Sequence, residues 1–242
     1  MTPILHAASL ARAATVDEVS NGGDVLVLAP HPDDESLGCG GAIAALTDLG
    51  RRAQVIVVTD GGMSHPASRS HPPTALARLR AAEVTTAVDL LTEGRGPAPV
   101  LLGYPDRDAP EGKAVAGALA RIAPHILPGT AAIWATWGGD PHVDHQRTAH
   151  LAAMLAAAHP TLALWSYPIW GRFEPRAAGF DPAALVQLDT GPWQGRKAAA
   201  IAAHVSQMTG LIADDPEGFR MTADHQRHFL TSPEIFLRET PR

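Results

Sequence analysis

The sequence predicts an α/β fold, a Rossmann-like, doubly wound and mostly parallel sheet with helices on both faces. Two observations carry this expectation. Short, continuously apolar runs recur along the chain, as in strands buried on both faces. Between them lie segments of helical length and composition, and that alternation implies parallel pairing through right-handed crossovers.

The rhythm begins at Asp24. Val25-Leu26-Val27-Leu28-Ala29 is a buried strand ended by Pro30, and residues 38–49 form an Ala- and Leu-rich helix stopped by Gly50. A second buried strand is expected over residues 53–59, running into Asp60-Gly61-Gly62, and a long helix over 74–91. Further strands are expected at 100–102, 131–136, 162–167 and 185–188, and helices at 113–123, 145–158 and 194–205. No internal repeat or low-complexity linker interrupts this order, so residues 24–242 read as one domain. Residues 1–23 read as an N-terminal extension, either a short helix on the surface or a partly disordered tail.

A chain of 242 residues suffices for one large domain with a substantial core. Hydrophobic residues make up 45% and charged residues 18%, an ordinary globular balance. The formal charge of −6 argues against a nucleic-acid-binding surface, which would show a basic stripe. Cys39 is the single cysteine, so neither an intrachain disulfide nor a Cys-based zinc knuckle can form. Nothing in residues 1–23 has the charged start and long apolar run of a secretory signal, and no stretch is apolar enough to span a bilayer. A cytoplasmic location is the expectation, and a homo-oligomer is compatible with it.

Open parallel sheets bind ligands at the carboxyl ends of their strands. Directly after the first strand comes Pro30-His31-Pro32-Asp33-Asp34-Glu35, an imidazole and three carboxylates in five residues. Directly after residues 131–136 comes Trp137-Gly138-Gly139-Asp140-Pro141-His142-Val143-Asp144-His145. Two loops at one sheet edge bring His31, Asp34, His142 and His145 within reach of each other. A catalytic zinc needs three N or O protein ligands and one open position, and these loops can meet that need. The rival reading is a helix N-terminus whose carboxylates cap free amides, for which one residue, such as Glu35, would serve. Spacing alone leaves open which of Asp33 and Asp34 is a ligand.

His31-Pro32-Asp33-Asp34-Glu35 after a strand, with the later His142-x-Asp144-His145, resembles the PIG-L/LmbE family of zinc-dependent N-deacetylases. Arg80-x-x-Glu83, Leu102-Gly103-Tyr104-Pro105-Asp106 and Lys197-x-x-Ala200-x-x-x-His204-x-Ser206-Gln207 extend the resemblance, in the family's order. It implies removal of an acetyl or other acyl group from an amino sugar conjugate, such as an N-acetylglucosaminyl compound. It also implies His31, Asp34 and His145 as ligands of Zn2+, although Fe2+ suits the same set. Asp33 would be the general base that takes the proton of the attacking water. His142 would stabilise the oxyanion or protonate the leaving amine, with Asp144 orienting it, and a bell-shaped pH dependence would follow. Arg80 and Asp106 would contact substrate. One departure is Val143, where the family often has proline; the histidines and the acid keep their spacing.

Other residues read more plainly. Arg80 and Glu83 have the spacing of a surface ion pair. His204 fits a hydrogen-bonded scaffold group, His65 and His71 solvated loop positions, and Cys39 a small packing residue. His225 and His228 share a helical spacing without surrounding carboxylates. Trp137 adjoins the metal loop and could meet the apolar face of a sugar or lie in the core. Two other function classes compete. A non-catalytic carbohydrate-binding protein on the same fold would be expected to lack Asp33 or a ligand. A nucleotide-binding Rossmann protein would carry Gly-x-Gly-x-x-Gly where this chain has His-Pro-Asp-Asp. Another metal hydrolase, such as a phosphoesterase, shares the metal loop.

Overall fold

The computed structural model describes residues 1–240. The central strands arise where the sequence is continuously apolar: β2 (Asp24–Ala29) and β3 (Ala53–Thr59) are buried at every position, and β5 (Thr130–Thr136) over its last five. Alternate residues of β2 feed two cores, Val25 and Val27 into one and Leu26 and Leu28 into the other. Helices on both faces cover these cores. On one side lie α3 (Asp34–Asp48), α4 (Pro73–Thr92) and α7 (Gln194–Ala203), and on the other α5 (Ala114–Ile122) and α6 (Val143–Ala158). The expected strand and helix order from residue 24 to 203 is therefore present, with β4 (Val100–Tyr104), β6 (Ala163–Tyr167) and β7 (Leu185–Leu188) completing it. Among the described residues, no helix is long and apolar enough to cross a membrane.

The sheet order is β1-β7-β8-β6-β5-β2-β3-β4. From β2 the chain steps outward through β3 to β4, then returns to the other side of β2 for β5 and β6. The reversal opens a crevice between the carboxyl ends of β2 and β5, where ligand sites form in such sheets. Both loops rich in histidine and aspartate leave from those two ends.

Both ends of the chain are more structured than expected. Residues 1–23 join the fold: α1 (Pro3–Leu10) buries Ile4, β1 (Ala13–Ala14) pairs parallel with β7, and α2 (Val16–Val19) leads into β2. Beyond α7 come α8 (Val205–Met208), α9 (Ala223–Thr231) and β8 (Glu234–Glu239), and β8 inserts antiparallel between β6 and β7.

Helix α3 is buried from Asp34 to Thr47 and has no solvent face. Its small side chains permit that burial: a Cβ on Gly38 would lie 2.2 Å from the Tyr167 ring. The helix breaks at Cys39, whose φ of −140° and ψ of 20° are not helical. Past the break the amides of Gly41 and Ala42 donate to the Glu234 carboxylate, at 2.7 and 2.9 Å. Lys197 Nζ of α7 donates to the same carboxylate at 2.6 Å. Glu234 thus caps the second half of α3 and neutralises a buried lysine.

Candidate metal centre and active site

The turn after β2 places its two aspartates differently. Asp33 has a φ of 143°, a backbone region that L-residues rarely occupy. Its carboxylate caps nothing; Glu35, through Oε2, accepts the Asp33 amide at 3.1 Å instead. Asp33 Oδ2 pairs with Arg80 Nη2 at 3.1 Å. Asp34 turns its Oδ2 between two imidazoles, 3.2 Å from His31 Nδ1 and 3.4 Å from His145 Nε2. In a tetrahedral site with bonds of about 2.0–2.1 Å, ligand atoms stand about 3.3–3.4 Å apart. Both imidazole nitrogens have that spacing from Asp34 Oδ2.

Hydrogen bonding behind the donors fixes their tautomers. His145 Nδ1 faces Asp140 Oδ2 at 2.9 Å, so the ring donates there and its Nε2 keeps a lone pair. That Nε2 is buried and has no hydrogen-bond partner. A bound cation would satisfy it. Asp140 itself is fully buried and accepts the amides of Ile169 and Gly171 at 3.0 and 2.7 Å. His31 Nε2 faces Asp144 Oδ2 at 3.1 Å and Asp106 Oδ1 at 3.4 Å, leaving Nδ1 toward Asp34. Each histidine therefore has a carboxylate behind the nitrogen that faces away from the donor cluster.

Electrostatics agree with a cation site. Burial works against a charge on His31, yet Asp106, Asp144 and Asp34 outweigh it and raise the imidazole well above its ordinary value. Burial likewise opposes the Asp34 charge, but His145 and His31 hold that carboxyl well below the usual range. The cluster draws a positive charge to its centre, and the donor set of two imidazoles and a carboxylate suits a divalent ion. His142 is near enough to His31 and His145 to compete as a third donor. Its Nδ1, however, accepts the Asp144 amide at 3.2 Å and caps α6, so only its Nε2 is free.

The resemblance implies that Asp144 orients His142. In the fold only the Asp144 amide does so, while its carboxylate serves His31 and accepts the amides of Arg107 and Ala109. Arg80 and Glu83 form no surface pair. Arg80 is buried and also donates to Gly61 O at 2.9 Å and Pro32 O at 2.8 Å, while Glu83 accepts the amide and hydroxyl of Ser206. Gly61, at a φ of 62°, is required here, because a Cβ would fall 2.3 Å from the Arg80 guanidinium. Asp106 accepts the Met63 amide at 3.0 Å, and His31 holds its carboxyl down to about 2 against the effect of burial. His204 bonds Glu35 and Ser36 at 3.1 and 3.2 Å, the scaffold role expected of it.

A cavity of about 630 Å³ opens over this cluster, lined by His31, Asp33, Asp34, Arg80, Asp106 and His142. Trp137 is not at it: the residue is only 4% exposed, in a cluster with Ile4 and Leu237 and edge-on to Phe180. Trp170, Phe219 and Met221 line the cavity instead. Sequence reasoning missed these, and Asp140, because none has a motif of its own. For Asp140 the one available signal was an unassigned acid in the metal loop, since metal-ligating histidines need an acceptor behind them. His225 stacks on Phe173 with ring centroids 4.1 Å apart, and among the described residues no carboxylate cluster gathers around it.

Residues 26–157 match the profile of the family described as PIG-L, GlcNAc-PI de-N-acetylase. No curated protein matches the chain by sequence. Among solved structures, N,N'-diacetylchitobiose deacetylase from Pyrococcus horikoshii is similar, with a TM-score of 0.66 and 22% identity over 93% of this chain and 87% of that one. The A40926 pseudoaglycone deacetylase Dbv21 matches with a TM-score of 0.65 and 15% identity over 90% and 98% of the two chains. GalB, the 4-carboxy-2-hydroxymuconate hydratase of Pseudomonas putida KT2440, matches with 0.64 and 17% over 86% and 83%. One scaffold thus serves both deacetylases and a hydratase, so the chemistry must be argued from the site.

Proposed function

The chain belongs to the PIG-L family of GlcNAc-PI de-N-acetylases, and from that premise we propose that it is a zinc-dependent hydrolase removing an acetyl group from an amino sugar conjugate. The observation that carries this reading is the Asp34 carboxylate set between the His31 and His145 imidazoles, with the Asp33 carboxylate turned to Arg80 instead. His31, Asp34 and His145 would hold the ion. When bound, it acts as a Lewis acid that acidifies water and polarises the amide carbonyl.

The chain's own groups do the rest. Asp33 takes the proton from the attacking water. Burial pushes its carboxyl up to about 6, with the Arg80 cation pulling it down, which suits a base working near neutral pH. Burial and the His31 and His145 charges lower His142 to about 4, so at neutral pH its ring is uncharged. With Nδ1 accepting from Asp144, the proton sits on Nε2, which can donate to the oxyanion of the tetrahedral intermediate. A neutral His142 favours the oxyanion role of the two that the resemblance implies, and the leaving amine takes the proton that Asp33 received as the C–N bond breaks. Arg80 and Asp106, on the cavity wall, would position the conjugate. A screen of N-acetylated amino sugars for release of acetate and free amine tests the activity; turnover that survives complete metal removal would overturn the mechanism.

Two outcomes follow from the site. The chain should bind one equivalent of zinc, and zinc at about 100 times its dissociation constant should add about 2.7 kcal/mol of stability. Elemental analysis and thermal unfolding check this; metal-free protein whose midpoint ignores added zinc would refute it. The rate should fall on the acid side as Asp33 takes up a proton. Arg80→Met removes the cation that favours the Asp33 carboxylate, so the limb should move to higher pH. A limb that stays in place, or moves down, in kcat/KM against pH would assign it to another group.

A further inference from the structure

The cavity above the donor cluster has two kinds of lining. His31, Asp33, Asp34, Arg80, Asp106 and His142 supply the polar part. Leu37, Met63, Trp170, Phe219 and Met221 supply the apolar part. Trp170 is half-buried, in the segment that follows β6. Phe219 packs edge-on against its ring, with centroids 5.6 Å apart and planes at 89°. Both are anchored through their backbones. The Trp170 amide donates to Asp140 Oδ2 at 3.3 Å, the oxygen that also faces His145 Nδ1. The Phe219 amide donates to Ser64 O at 2.7 Å. The aromatic pair is thereby held at a fixed place relative to the donor triad.

A pyranose ring matches such a cavity, because its axial C–H groups make one face apolar while its hydroxyl and acetamido groups project around the rim. An aromatic face carries negative charge density and attracts the weakly positive C–H groups of the sugar. We propose that Trp170, braced by Phe219, is the platform for the apolar face of the sugar ring, and so selects N-acyl pyranosides over acyclic N-acyl amines. The assignment rests on the amino sugar reading above. Trp170 is a specificity residue and touches no reacting atom.

The test compares wild-type protein with Trp170→Leu, which keeps an apolar side chain, and Trp170→Phe, which keeps a smaller aromatic face. Aromatic contacts of this kind correspond to roughly a two- to tenfold effect. Calorimetric titration with N-acetylglucosamine should show Trp170→Leu binding about five- to tenfold more weakly and Trp170→Phe recovering most of the loss. In turnover, Trp170→Leu should raise KM for an N-acetylglucosaminide several-fold more than for N-acetylethanolamine, with zinc content retained. Equal binding by Trp170→Leu and wild type, or equal losses on the sugar and the acyclic amide, would overturn the proposal. Wild-type protein that binds N-acetylglucosamine but releases no acetate would refute the deacetylase reading alone, and the binding comparison would still decide the role of Trp170. Wild-type protein that does not bind the sugar would overturn the platform.

Discussion

Replacing Asp33 with Asn should cut turnover by about two to four orders of magnitude, the usual share of acid–base catalysis, and leave zinc content almost intact. The side chain keeps its size and an oxygen toward Arg80, but loses the lone-pair basicity that accepts a proton. The Asp33 backbone, held at a φ of 143°, marks a position where geometry has been kept at the cost of strain. Asp34→Asn and His145→Ala should behave in the opposite way, losing metal first, because their Oδ2 and Nε2, 3.4 Å apart, would hold the ion in the proposed site. His142→Ala should retain metal and lose rate, since in the proposed mechanism its Nε2–H would act only as the intermediate forms. The measurement is zinc content and turnover for the four variants side by side. If Asp33→Asn loses its metal and Asp34→Asn keeps it, the two aspartates have exchanged roles. If His142→Ala turns over normally, the oxyanion is held elsewhere.

The second large effect lies away from the chemistry. Truncating Glu234 to Ala should destabilise the fold by about 3–5 kcal/mol, as removing one partner of a buried ion pair does. Three donors lose their acceptor together: Lys197 Nζ and the amides of Gly41 and Ala42, all buried. Burial already lowers the Lys197 pKa with Glu234 present, and without it the ammonium should fall further. The unfolded variant would then bind more protons than the folded one, so its stability should rise with pH toward the ordinary lysine range. Chemical denaturation at several pH values checks both the size and the sign. A loss below about 1 kcal/mol, or one unchanged by pH, would mean that water replaces the carboxylate.

What was legible in the sequence, and what was not, divides along a physical line. Val25-Leu26-Val27-Leu28-Ala29 could be read because a strand buried on both faces must be apolar throughout. Strand β8 could not, because it opens on Glu234, whose burial makes sense only beside Lys197 and the broken α3. The sequence puts the start of α3 at residue 38 and the helix begins at Asp34, since its first turn is acidic while its break at Cys39 leaves no periodic stripe. In the site, the donor types stood out as a motif. Their partners did not: that Asp144 reaches His31 across 113 positions, or that Asp140 backs His145, depends on how separate loops converge. Trp137 and Trp170 are alike in sequence, and only the fold sends one inward and the other to the cavity.

The place of β8 has a consequence for how the chain acquires its structure. During synthesis β6 and β7 emerge well before the strand that joins them. Until residues 234–239 arrive, each keeps an open row of backbone donors and acceptors. The half-sheet with β2 and β5 can form from nearer neighbours, but α3 lacks the Glu234 carboxylate that completes its second half. A nascent intermediate would therefore carry its metal-binding loops on a scaffold whose central helix is unfinished and whose strand edges invite pairing with another chain. Closure waits on contacts far apart in sequence, which makes folding slow relative to a helical protein of this length. Aggregation during expression is the hazard this topology creates, and slower synthesis or lower temperature is the condition that should relieve it.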